Sequence, residues 1–319
     1  MGWLSPTALF SPDGKQLVYN AWQDYVQLDP ELSFSDQDIA PGQPLGRPSL
    51  RLHDFASGSD SLLADSAYSV AWRSDGTIAY VAGERPDFVA GKPFLGEIVV
   101  RSSMGSAPEP WTTKPARYVV VAWADQTLIA YEEGEGERLD VVALSGPGTL
   151  RVLSPDSRVV AVSPDGTLLC VERSTGEGSA AALVDVSTGR VAASLHAPTD
   201  LRTGQPVGAL SYGGSWAGDR IVAEQRGAVV VLKFDGGKLS VDSILNLPTD
   251  AFPMGVHEPT FVDRSGANIV AWAPVPGKWG VASGRLYQVV ECTLAAGVCE
   301  VAPPVGSRTV SVAVNPSRP

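Results

Sequence analysis

A four-residue turn set between apolar runs recurs along the whole chain, and it limits the possible folds more than any other feature. In register the copies read "ALFSPDG" (8–14), "VAWRSDG" (70–76), "VVAWADQ" (120–126), "VAVSPDG" (160–166), "GSWAGDR" (214–220) and "TFVDRSG" (260–266). A seventh, "VAVNPSR" (312–318), comes last. The residue closing each apolar run is Phe10, Trp72, Trp123, Val162, Trp216, Val262 and Val314. A second apolar run follows each turn, as in "QLVYNAW", "TIAYVAG" and "TLLCVER", and Asp-Gly between the two supplies the positive backbone angles of a tight hairpin. Two further runs then flank another turn, as in "AALVDVSTGRVAASL" and "AVVVLKFDGGKLSVDSIL". Four antiparallel strands repeated roughly every 50 residues predict an all-β chain of β-propeller blades.

Ser11-Pro12-Asp13-Gly14 and Ser163-Pro164-Asp165-Gly166 carry the turn in full, and Ser74-Asp75-Gly76 carries it without the proline. On these residues, and over nearly its whole length, the chain resembles the WD40-like, TolB-type propeller family. Six complete blades are expected over about residues 5–65, 66–114, 115–155, 156–198, 199–248 and 249–305. Residues 309–314 then form a closing strand against the first blade, or alternatively begin a seventh blade whose other strands lie upstream of Met1. No copy holds the Ser-x-Asp-x-Gly-x-Thr-Trp box of sialidases, and no Gly-x-Ser-x-Gly elbow marks an attached hydrolase domain.

Composition narrows the partners. A formal net charge of −11 leaves no extended positive surface for phosphates, so neither nucleic acid nor an anionic membrane is an expected partner. No membrane insertion is expected, because no stretch of 18 uncharged apolar residues occurs. Met1 opens straight into "GWLSPTALF", without a basic segment or an apolar leader. Cys292 and Cys299 sit in "VVECTLAAGVCEV", two short runs around a Gly-containing turn, where a hairpin sets the thiols opposite each other. They form either a disulfide or two reduced thiols in an edge hairpin. A disulfide would place the chain outside the cell or in the cell envelope. Cys170 in "LLCVE" reads as a small buried hydrophobe.

In a propeller the tight hairpins emerge on one face, while the connections from second to third strand and from blade to blade emerge on the other. Loop length therefore points to function. The hairpin face has short turns such as "PDG", "SGPG" and "DGGK"; the opposite face carries the insertions. The longest spans Trp22 to Gly46, with others at 83–96, 132–138, 196–208, 248–259 and 274–284. Trp22, Tyr25, Phe34, Phe88, Phe94, Phe252 and Trp279 give this face an aromatic character and a binding role. Asp29, Glu31, Asp36 and Asp38 are oxygen ligands of the type Ca²⁺ takes, yet without EF-hand spacing, so the simpler reading is a solvated acidic loop and no cofactor. His257, Glu258, His196 and Asp24 are the candidate acid/base groups, with loop-capping roles as the alternative. "EEGEGE" reads as a solvated loop, and His53 as a partly exposed sheet residue. Phe10, Trp72, Trp123 and Trp216 read as packing between neighbouring blades.

Two function classes follow. One is a non-catalytic binding or scaffold module that offers the loop face to a protein, peptide or glycan. The other is a small-molecule hydrolase or lyase with an axial pocket, which needs carboxylates or histidines converging on the channel. Fold alone does not choose between them.

Overall fold

The computed structural model describes residues 8–23, 47–83, 95–134, 138–175, 178–196, 210, 214–225, 228–245, 257–261, 266–274 and 287–301. The strand at 309–314 expected from the sequence lies outside them. Every regular element among the described residues is a strand, and six sheets follow one another along the chain. Sheet 1 comprises β1 (Ala8–Phe10), β2 (Gln16–Gln23), β3 (Arg47–Asp54) and β4 (Ser59–Asp65). Sheet 2 comprises β5 (Ala67–Trp72), β6 (Ile78–Gly83), β7 (Gly96–Arg101) and β8 (Glu109–Pro110). In sheet 3 are β9 (Tyr118–Ala124), β10 (Thr127–Glu133), β11 (Leu139–Leu144) and β12 (Arg151–Ser154). Sheet 4 holds β13 (Ser157–Val162), β14 (Leu168–Thr175), β15 (Gly178–Asp185) and β16 (Val191–His196). Sheet 5 is β17 (Ser215–Ala217), β18 (Arg220–Gln225), β19 (Ala228–Asp235) and β20 (Lys238–Leu245). Sheet 6 is β21 (His257–Phe261), β22 (Asn268–Pro274), β23 (Tyr287–Thr293) and β24 (Val298–Val301). Each sheet pairs its four strands antiparallel in chain order, as hairpins joined end to end must.

The turn that repeats in the sequence is a self-contained hydrogen-bonded unit. Ser11 Oγ donates to Asp13 Oδ1 at 2.7 Å and accepts from Gln16 N at 2.9 Å, while Lys15 N donates to Asp13 Oδ1 at 3.1 Å. Sheet 4 repeats the pattern: Ser163 Oγ lies 2.7 Å from Asp165 Oδ1 and 2.9 Å from Leu168 N, with Thr167 N donating to Asp165 Oδ1 at 3.1 Å. The turn of sheet 2 differs from the sequence reading. Pairing of Trp72 with Ile78, like that of Phe10 with Leu17, puts Arg73 rather than Ser74 in the serine's place. Arg73 holds Asp75 through two bonds of 3.0 and 2.7 Å, and its guanidinium lies 4.9 Å from the centre of the Trp123 ring in the next sheet. Sheet 6 departs too: Phe261, not Val262, stands opposite Ile269 in the slot of Phe10.

Five apolar clusters each join one sheet to the next. Val18, Leu50 and Leu52 of sheet 1 pack on Ile78 and Tyr80 of sheet 2, and Ala79 and Ile98 of sheet 2 pack on Leu128 and Val142 of sheet 3. Ile129 meets Leu169, Cys170 meets Ile221, and Val222 meets Ile269 in the remaining three. The alternation of side chains along each second strand explains this arrangement: successive residues face opposite neighbours, so both faces of an inner sheet are apolar. Closing the aromatic slot is less uniform than the sequence suggests. Trp123 does bridge two sheets, with its ring edge-on to Trp111 at 5.6 Å and Nε1 donating to Ala71 O at 3.2 Å. Trp72 packs against the cluster joining sheets 1 and 2, and Trp216, besides meeting Phe234 at 6.3 Å, against the one joining sheets 4 and 5, whereas Phe10 stacks on Phe55 at 5.8 Å within its own sheet.

Candidate functional site

The strand bounds set the height of the loop face. Second-to-third strand connections run over residues 24–46 in sheet 1, 84–95 in sheet 2 and 275–286 in sheet 6. In sheets 3, 4 and 5 they shrink to 134–138, 176–177 and 226–227. Connection length on this face thus varies several-fold, long in sheets 1, 2 and 6 and short in sheets 3, 4 and 5.

Asp24, Tyr25, Asp29, Glu31, Phe34, Asp36, Asp38, Phe88, Phe94, Phe252 and Trp279 lie outside the described residues. Trp22 falls near the end of β2, opposite Pro48. His257 and Glu258 open β21, the innermost strand of sheet 6. His196 ends β16, the outermost strand of sheet 4, and pairs with Ala180 of β15. Three strand spacings separate that position from the innermost strand of its own sheet, roughly 14 Å. His196 thus lies on the outermost strand of its sheet, whereas His257 and Glu258 lie on an innermost one. His53 sits in β3, its Nδ1 3.3 Å from Asp60 Oδ1.

The segment 132–138, counted among the insertions from sequence, holds part of a charged cluster beside the short connection at 134–138. Glu132 and Glu133 belong to β10 rather than to a solvated loop, because Gly134 N donates to Arg138 O at 2.8 Å and closes the connection tightly. Arg117 pairs with Glu133, whose side chain is only 8% exposed. Arg138 Nη2 lies 2.9 Å from Asp140 Oδ2, and Asp140 Oδ1 accepts from Asp156 N at 3.0 Å. Tyr118 OH lies 3.5 Å from Glu132 Oε1. Burial first, and then the charge of Glu132, push the Tyr118 phenol up to about 12, so it stays protonated and keeps its O–H to donate. Tyr68, raised by burial, donates to the carbonyl of Tyr118 in the adjoining sheet.

Of the four described non-glycine residues with left-handed backbone, one lies in an innermost strand, two just before one and Asp125 in a hairpin turn. Ser69 has a φ of 53° at a bulge in β5, and its Oγ donates to Val120 O of β9 at 2.7 Å. Ser66 (φ 48°) and Asp156 (φ 45°) occupy the sheet-to-sheet connections on this face. Left-handed geometry at a non-glycine costs about 1–3 kcal/mol and persists only where its surroundings hold it, here through hydrogen bonds between sheets. Further along the face Glu172 and Glu224 are 7% exposed and Gln225 2%. Register alignment shows what the sequence reading missed: Asn20, Tyr131, Glu172 and Glu224 occupy one position of the second strand in four sheets. A polar residue recurring there inside an apolar run was the available signal.

Cys292 and Cys299 are directly opposite in β23 and β24 and form a disulfide, with Cα atoms 4.0 Å apart. Cys170 is free and buried, and burial pushes its thiol up to about 12.

No protein-family model matches the chain, and no curated protein sequence matches it. Solved structures do. The β-propeller domain of the trilobed protease from Pyrococcus furiosus, a domain of open velcro topology, superposes with a TM-score of 0.54 at 11% identity, over 93% of this chain and 83% of that one. The acylaminoacyl peptidase of Pyrococcus horikoshii superposes with a TM-score of 0.55 at 10% identity, over 93% of this chain and 44% of that one. TolB from Acinetobacter baumannii is also similar, with a TM-score of 0.41 and 14% identity; this chain spans 72% of itself and 52% of TolB in that match. The chain has a β-propeller fold built of repeated four-stranded blades.

Proposed function

We propose that the protein is a non-catalytic binding module, placed in the cell envelope or outside the cell, that offers its loop face to a protein, peptide or glycan. The unequal connections of that face carry the reading: those at 24–46, 84–95 and 275–286 are long, whereas those at 134–138, 176–177 and 226–227 are short. Long connections on a rigid scaffold are where binding residues collect. The charged cluster beside the short connections supports the same role, since Glu133, Asp140 and Glu132 are engaged by Arg117, Arg138 and Tyr118. Charged groups held in this way can orient a partner by the charge pattern they present. The Cys292–Cys299 disulfide supports an oxidising compartment.

The test is a peptide-display and glycan-array screen with the immobilised chain, repeated with residues 26–44 replaced by a Gly-Ser linker. Binding should be found and should fall at least tenfold in the linker variant, while a control substitution at Lys238 on the hairpin face leaves it unchanged. Turnover of ester, lactone or glycoside substrates that is lost on His257→Ala would overturn the reading in favour of the enzyme class.

A further inference from the structure

The two ends of the six-sheet stack differ from everything between them. Register aligns one residue of each second strand that faces the following sheet: Val18, Ala79, Ile129, Cys170, Val222 and Val270. The first five are 0% exposed, whereas Val270 is only half-buried. The residue facing the preceding sheet is Ile78, Leu128, Leu169, Ile221 and Ile269 in sheets 2 to 6, again 0% exposed. Its counterpart in sheet 1, Leu17, is half-buried. Sheet 6 therefore presents a face with Val270, Val289 and the 48% exposed Val298 that no described residue covers as the inner sheets are covered.

We propose that residues 309–314, "TVSVAV", dock on this face of sheet 6 as a further innermost strand. The path of the chain favours them. β24 ends at Val301, at the end of its sheet from which each earlier outermost strand returns to the innermost strand of the next, and residues 302–308 match the span of 111–117 between β8 and β9. Val312-Ala313-Val314-Asn315-Pro316 then repeats Val160-Ala161-Val162-Ser163-Pro164, which contains the end of the innermost strand of sheet 4. Charge favours them as well. Glu291 and Glu300 stand directly opposite each other and exposed on the same face, a like-charge pair that costs stability by itself. Residues 302–319 hold Arg308 and Arg318 and no acidic residue. In the inner sheets the corresponding strand is what buries the second strand of its predecessor, as Val120 of β9 does against Ala79.

Hydrogen exchange read by mass spectrometry on the full chain tests this. Amides of 309–314 should exchange at least tenfold more slowly than in the free peptide of the same sequence. Removal of 302–319 should speed exchange in β22 and β23 while β10 and β14 keep their rates. The double variant Glu291→Lys, Glu300→Lys should speed exchange of 309–314 without changing the circular dichroism spectrum, and it decides the matter if the truncated chain does not fold. Exchange of 309–314 at the free-peptide rate overturns the proposal. So does β22 protection that survives truncation, which means sheet 1 covers the face, or protection that rises with protein concentration alongside a dimer, which means a second copy does.

Discussion

On the hairpin face Asp165 binds groups two residues away on either side, Ser163 and Thr167; on the loop face, Arg117 reaches Glu133 at the other end of a hairpin. One end of the strands is specified by sequence neighbours, and the other by partners that only strand pairing brings together. Local specification makes the hairpin turns interchangeable: Asp13 and Asp165 do the same work in sheets 1 and 4, and Arg73 replaces the serine with a side chain that still holds its aspartate. Non-local specification makes the loop face free to differ from sheet to sheet, which is where a propeller acquires a partner.

The largest expected effect tests how far the hairpin face is really local. Gly166 has a φ of 70°, and a Cβ there would lie 2.5 Å from Asp125 N in the neighbouring sheet; Gly76, at φ 90°, would meet nothing within 4 Å. Gly166→Ala should cost about 3 kcal/mol and Gly76→Ala about 1 kcal/mol in urea unfolding, the excess being the clash with a backbone that cannot retreat. Equal losses would mean that the turns do not touch across sheets.

Next comes the ion pair of the loop face. Arg117→Met leaves Glu133 buried without its cation and should cost about 1–2 kcal/mol, below the value for a fully buried pair because the Arg117 side chain is 40% exposed. A further Glu133→Gln change should recover part of the loss in the same unfolding assay. No recovery would show that packing of the arginine stem matters more than its charge.

Ser163→Ala removes two hydrogen bonds of one turn and should cost about 1 kcal/mol, as should Ser11→Ala. The double variant should show the sum, since the two turns lie in different sheets. A marked departure from additivity would argue against turns as independent units.

The smallest effect is on pH. The amide of Ser57, then Gln16 and the Ser57 hydroxyl, hold Asp54 down at about 2, and Ser187 followed by Thr188 does the same for Asp185. Carboxyls depressed in the folded chain stabilise it fully above their ordinary value of 3.8, and the contribution fades as pH falls through about 2. Melting temperature should decline over that window, and less steeply in Asp54→Asn plus Asp185→Asn. An unchanged slope would assign the acid sensitivity to the loop face.

The repeat of Ser-Pro-Asp-Gly between apolar runs was enough to read the strands, their order within each blade and the partnership of Cys292 with Cys299, because each depends on contacts a few residues apart along a hairpin. Register is where that reading failed. The sequence alignment put Val262 in the slot that Phe261 occupies, and the motif reading took Ser74 for the turn serine although Arg73 stands in its place, since a one-residue difference in a turn is invisible until the strands pair. Loop length drew attention to residues 24–46 and 132–138 but not to Arg117 and Tyr118, whose pairing with Glu133 and Glu132 arises from the meeting of β9 and β10. The sequence by itself determined the repeating unit, through turn chemistry and the period-two alternation of apolar residues. Only the tertiary structure decided which polar side chains are buried against one another, because stacking the sheets places Tyr68 beside Tyr118 and Tyr131 beside Val159 across separations that no local pattern encodes.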